Sequence, residues 1–168
     1  MKTEGGGVLK EGVLAGFVLF LTVAVFFALV NVFMGRWPFH TAQVLGEPML
    51  GPAPDPLSPD RRWAAVAAFN GTHLLGSIVL GVAAAALAQA IERAKIAWYV
   101  FFFIFVAGSI VMILGLGILA AEVAHLLAWH SVATAHLAGA ATTTAFLWWT
   151  HARRAPTSAG EGAVDEGF

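Results

Sequence analysis

From Gly12 to Met34 the chain runs 23 residues without a charged side chain, interrupted only by Thr22 and Asn31. A helix that crosses a bilayer needs about 20 such residues. Its backbone polar groups find no water there and must pair within the segment, so a run of this kind leaves the chain little choice but helix. Three more charge-free stretches follow, at about 63–91, 96–121 and 131–149. The expected fold is therefore all-α: an integral membrane bundle of four transmembrane helices, forming a single domain over 1–154. A loop over 35–62 joins the first two spans. The segment 155–168, rich in small and acidic residues, is expected to be a disordered tail.

Composition agrees. Hydrophobic residues make up 59% of the chain and charged residues 11%, against about 25% charged in an ordinary soluble domain. A net charge of -1 offers no basic field for nucleic acid, so none is expected as a partner. The absence of Cys excludes disulfides, thiolate metal sites and thiol catalysis. Lys2 and Lys10 ahead of the first apolar run resemble the start of a signal peptide. The run exceeds the usual 7–15 residues of such a segment and no clear small-residue cleavage site follows, so it is read as a retained first span.

Lys and Arg set the orientation. With both termini cytoplasmic, Lys2, Lys10, Arg93, Lys95, Arg153 and Arg154 fall on the inner side, and Arg36, Arg61 and Arg62 on the outer. An N-in/C-in protein of the bacterial cytoplasmic membrane is the expectation. The tryptophans give an independent check, since indoles favour membrane interfaces. Trp37, Trp63, Trp98, Trp129, Trp148 and Trp149 all fall at or near the ends of the four spans. Spans three and four lack a clear separator, and the turn between them is placed near Glu122–His125.

The outer loop holds six of the seven prolines. Its second half, EPMLGPAPDPLSPD, is expected to be extended and without regular structure. Its first half, GRWPFHTAQVLG, is apolar and aromatic enough to pack on the bundle or on a partner.

Two features bear on chemistry. In span two, Asn70, His73 and Ser77 share one helix face, which Gly81, Ala84 and Ala88 continue with small residues. Small residues let helices approach closely in lipid, so a polar packing stripe is the plain reading and a ligand site the alternative. In span four, His136 shares a face with Gly139, Ala140 and Thr143. Spans two and four run in the same direction. His73 lies about 15 Å below Trp63 along the helix, and His136 roughly 10 Å below Trp129. Both fall in the outer half of the membrane. Two facing imidazoles are one way to hold a b-type haem as axial ligands. Gly76 and Gly139 would leave room for a porphyrin edge, and Arg61 and Arg62 lie on the side where propionates would emerge. Glu122, His125 and His130 form a polar cluster that reads as a solvated turn or, alternatively, a metal or proton site. His40 and His151 read as ordinary interfacial residues. Gly12-x-x-x-Gly16 matches a helix-contact pattern at a span end.

The segment FNGTHLLGSIVLG resembles a His-containing helix of oxidase third subunits over that short stretch alone, and no role is carried over from it. No phosphate-binding loop, nucleophile elbow or zinc-protease motif is present. Ion-coupled transport calls for intramembrane charge, which the spans lack. Three expectations follow, in order. The first is a non-catalytic membrane subunit or scaffold of a larger complex, respiratory or photosynthetic, with the lipid bilayer and other membrane subunits as partners. The second is a haem b electron-transfer subunit using His73 and His136. The third is a small transporter or membrane enzyme.

Overall fold

A computed structural model describes residues 4–52, 58–119 and 129–153. The tail beyond Arg153, the centre of the proline-rich loop and the Glu122–His125 turn lie outside them. Among the described residues there are five α-helices and no strand: α1 (Glu4–Phe33), α2 (His40–Gly46), α3 (Pro59–Arg93), α4 (Trp98–Leu119) and α5 (Trp129–Ala152). A 3-10 turn, Glu47–Leu50, follows α2 directly. Two segments are long and apolar enough to cross a membrane: Gly7–Phe33, with mean hydropathy 2.9, and Pro59–Arg93, with 2.1.

Helix α1 is the hub, lying against both α3 and α5. Its contact with α3 is made by backbone. A Cβ on Gly16 would stand 2.5 Å from Ile78 Cα and from the Ser77 carbonyl oxygen, and one on Gly12 2.5 Å from Val82 Cα. Across the seam, a Cβ on Gly81 would meet the backbone of Gly12 and Gly16. The Gly12/Gly16 pattern is therefore a working contact, and the small-residue stripe of α3 is its counterpart: Ser77, Gly81, Ala84 and Ala88 are all buried. On its other side α1 meets α5 through Leu19 against Gly139 and a Thr22–Thr142 hydroxyl pair at 3.0 Å. Each hydroxyl also has a carbonyl of its own helix in reach, Val18 for Thr22 and Ala138 for Thr142, so while one donates across the pair the other donates to its carbonyl. Helix α4 packs on α5, with Phe101 and Phe105 stacked 5.8 Å apart in the core.

Helix ends explain where the elements stop. Gly35 (φ +69°) takes the left-handed conformation after α1, and Arg36 N–H reaches back to the Asn31 carbonyl at 2.8 Å. This is the six-to-one bond that closes a helix on a left-handed residue. α3 ends in the same way, with Ile96 N–H on the Ile91 carbonyl, but there Lys95 (φ +53°) occupies the position that glycine suits best.

Among its described residues, the loop between α1 and α3 is more ordered than its prolines suggest. Its first half packs on its own chain. Trp37, Phe39 and Trp63 form a cluster with ring centroids 5.5–5.9 Å apart, and Gly46 seats directly against the Ala65 carbonyl. Asn31, buried at the top of α1, donates to the Pro38 carbonyl (2.9 Å) and accepts from Thr41 (3.1 Å). The expectation of an extended second half is corrected at both its ends. Pro48 opens the 3-10 turn and Pro59 opens α3, where Ser58 caps the helix. Proline is tolerated in a first helical turn because the N–H it lacks has no partner there. Arg61 then clips the loop by donating to Glu47 (2.9 Å) and to the Gly51 carbonyl. α3 consequently begins before Trp63.

The seam makes a prediction of opposite signs. Gly16→Ala should destabilise the protein by about 2 kcal/mol, since backbone cannot yield to the added carbon. Gly76→Ala, where nothing stands within 4 Å, should be neutral or mildly stabilising through helix propensity. Thermal unfolding of both variants in detergent checks the pair.

Candidate functional site

The two histidines singled out from sequence stand on α3 and α5, which both pack against α1. α3 directs His73 toward α1, where its half-buried ring lies 5.3 Å from Phe20 and 5.6 Å from Phe69. Asn70 is half-buried one turn above, and Ser77, one turn below, is buried on the α1 seam. The stripe is thus divided: its lower part is packing, and its upper part borders an aromatic recess. α5 supplies His136, also half-buried, with Nδ1 3.2 Å from the Val132 carbonyl of its own helix. A carbonyl accepts only, so Nδ1 carries the hydrogen and Nε2 presents its lone pair. A backbone carbonyl behind the ring is a usual support for a metal-ligating imidazole.

The fit to a porphyrin is uneven. The space above Gly76 is open, but Leu19 Cδ1 occupies the space over Gly139, 2.6 Å from where a Cβ would stand. Arg61 is engaged by Glu47 and Gly51, while Arg62 is exposed. His125 and Glu122 lie outside the described residues. His130 is exposed.

A second polar site was not anticipated. His151 was expected to be an ordinary interfacial residue, but its side chain is only 7% exposed and lies between two carboxylates. Nδ1 is 2.5 Å from Glu92 Oε2 on α3, and Nε2 is 2.9 Å from Glu11 Oε1 on α1. The second approach is off the line of an N–H, so it is a close contact and not a hydrogen bond. Glu11 is itself buried and accepts from Thr150 Oγ1 at 2.7 Å. Trp98 of α4 closes the site edge-on, 5.6 Å from the His151 ring. Four helices meet at this cluster. Glu11 and His151 are far apart in the chain, and no local motif joins them. The available signal was a carboxylate within the first turns of an apolar helix, where an unpaired charge is costly.

No protein-family model matches this chain, and neither a curated protein nor a solved structure matches it.

His40, at the start of α2, is the histidine whose environment has a simple consequence for pH. Burial and the nearby Arg36 charge both hold its pKa below the ordinary histidine value. The unfolded chain therefore binds this proton more readily than the folded one, and folding gains from His40 remaining neutral. That contribution is present above the ordinary value near 6.5 and is lost as pH falls through the lower folded value. An NMR titration of the imidazole should show the lowered midpoint, and Arg36→Gln should move it back toward the ordinary value.

Proposed function

We propose that this chain is a four-span, N-in/C-in subunit of a larger membrane complex, acting by packing rather than by catalysis. The observation that carries the reading is the distribution of apolar surface. Leu14, Phe17, Leu21, Val25 and Leu29 on α1, Leu75 and Val79 on α3, and Phe103, Ile104, Ile110 and Val111 on α4 are all exposed. The seam between α1 and α3 is made instead of Gly, Ala and Ser. A protein in water hides large side chains and does not leave contiguous apolar belts of this extent bare. In lipid the preference between large and small disappears, and close helix contact selects the small residues.

The ends of the helices support the same reading. Trp37 and Trp63 meet at the end that carries α2. Trp98, Trp148 and Trp149 lie at the other, where Arg153 covers the Trp149 ring at 3.6 Å. Indoles and interfacial cations belong at the two surfaces of a bilayer. α4 and α5 leave an apolar groove of about 390 Å³ between them, walled by Trp98, Phe102 and Trp148 and floored by Ala141 and Ala145. Together with the bare face of α4 it suits a neighbouring membrane subunit. A respiratory or photosynthetic assembly in a bacterial cytoplasmic membrane is the proposed setting.

A second reading has its own observation. His73 and His136 are both half-buried on helices that pack against α1, and the Val132 carbonyl holds His136 in the tautomer that leaves Nε2 available. This favours a haem b ligand pair, provided Leu19 moves aside.

Two experiments decide. A cysteine placed at exposed Met49 of this Cys-free chain should react with a membrane-impermeant reagent from outside the cell only; labelling solely from the cytoplasmic side overturns the topology. The protein purified in mild detergent should bring stable membrane partners and show no visible absorption of its own. A haem band that persists without partners and disappears in both His73→Ala and His136→Ala would establish the second reading instead.

A further inference from the structure

The groove between α4 and α5 has a charged mouth as well as apolar walls. We propose that it seats one anionic phospholipid of the inner leaflet, with an acyl chain along the groove and the phosphate at Lys95 and Arg153. The site rests on the membrane-spanning, N-in reading above and adds a ligand to it.

Direction favours a lipid. α4 starts at Trp98 and α5 ends at Ala152, and Trp98 lies against His151, so these two helix ends share one surface. From there the groove runs inward between the helices, past Trp98 and Trp148 to Phe102 and Ala141. Ala141 and Trp148 are seven residues apart, which is about 10 Å along a helix axis. A slot that opens at the membrane surface and follows the helix axes has the direction of an acyl chain. Ala141 and Ala145 on its floor are exposed, so the described side chains leave it open.

The lining favours hydrocarbon. Thr144 faces the groove, but its hydroxyl is turned back on the Ala140 carbonyl at 2.7 Å. The middle of the groove therefore presents carbon, with no donor for a polar ligand. The two indoles stand at the mouth, the level at which Trp meets headgroups.

Charge selects the lipid. Lys95 precedes Trp98 by three residues and is exposed. Arg153, also exposed, stacks over Trp149 at 3.6 Å, beside the groove wall Trp148. A stacked guanidinium keeps its N–H groups in the plane of the fork, where they suit phosphate oxygens. The N-terminus of α4 adds partial positive charge at the same level. Glu92, the carboxylate nearest in the chain to Lys95, faces His151. A helix laid across the mouth would bury both cations or have to bring carboxylates to them. An anionic phospholipid meets the apolar groove, the indoles and the cations in the order in which they occur. Basic pockets between transmembrane helices on the cytoplasmic side bind anionic headgroups in this way. A neighbouring subunit on the bare face of α4 then packs over the lipid instead of replacing it.

Native mass spectrometry of the full-length protein in mild detergent reads the site. The probe is an equal mixture of dioleoyl phosphatidylglycerol and dioleoyl phosphatidylcholine. One phosphatidylglycerol should be retained in about twentyfold preference, and Lys95→Gln and Arg153→Gln should each lower that preference about fivefold, the usual effect of one basic residue near anionic headgroups. Ala145→Phe fills the groove and should abolish the retention. Ala86→Phe, at an exposed position of α3, should leave it unchanged. Circular dichroism and a single elution peak identify folded variants, and the two charge variants decide if Ala145→Phe does not fold. Equal retention of the two lipids, a preference that survives Ala145→Phe or the double charge variant, or a copurifying partner that excludes phosphatidylglycerol overturns the proposal. A chain that stays monodisperse without detergent sinks the membrane reading itself, whereas one that needs detergent but shows no preference sinks only the lipid site.

Discussion

Everything in this structure hangs on how closely α1 and α3 approach. Gly12 and Gly16 face Gly81 with no side chain between the two backbones. That contact sets the distance and rotation of α1, and through them the direction in which its other residues point. With α1 so placed, Leu19 reaches Gly139, Thr22 reaches Thr142, and Glu11 reaches the His151–Glu92 pair. A bulkier seam would separate the helices and break contacts on the far side of α1 as well. Dispersion and close fit are the forces available to such a seam in an apolar medium, and both fall steeply with distance.

The two polar sites share this hub. Phe20 of α1 lies on the His73 ring near one end, and Glu11 of α1 meets His151 near the other. α5 contributes to both as well, through His136 and His151. The helices that define the histidine recess are thus the same ones that the carboxylate cluster ties together. A rigid rotation of α1 at one site moves the ring that covers the other.

Helices were legible because apolar run length is a strong signal: each of the four charge-free stretches corresponds to a helix, and those at 96–121 and 131–149 match α4 and α5 closely. Depth counted from flanking tryptophans put His73 and His136 at similar levels, on two helices that both pack against α1. Other features were hidden for physical reasons. Six prolines obscured the loop's order, although Ser58-Pro59-Asp60 is a helix start in its own right. Leu19 filling the space over Gly139 depends on the rotation of α1, which no spacing within α5 reveals. The pairing of Glu11 with His151 is a tertiary fact: neither residue has a neighbour in sequence that points to the other. Asn31 looked like an interruption of an apolar run, whereas it is the joint between α1 and the loop.

That joint bears on how the chain is made. A polar amide near the end of an apolar helix would normally wait, unpaired, for a later helix to satisfy it. Asn31 does not have to wait. Its two partners, Pro38 and Thr41, lie in the next few residues of the chain, so the amide is satisfied as soon as that short segment folds back. α1 and its cap form a self-contained unit of biosynthesis, complete at the polar end while the glycine face stays open to receive α3. The order of synthesis and the order of satisfaction coincide.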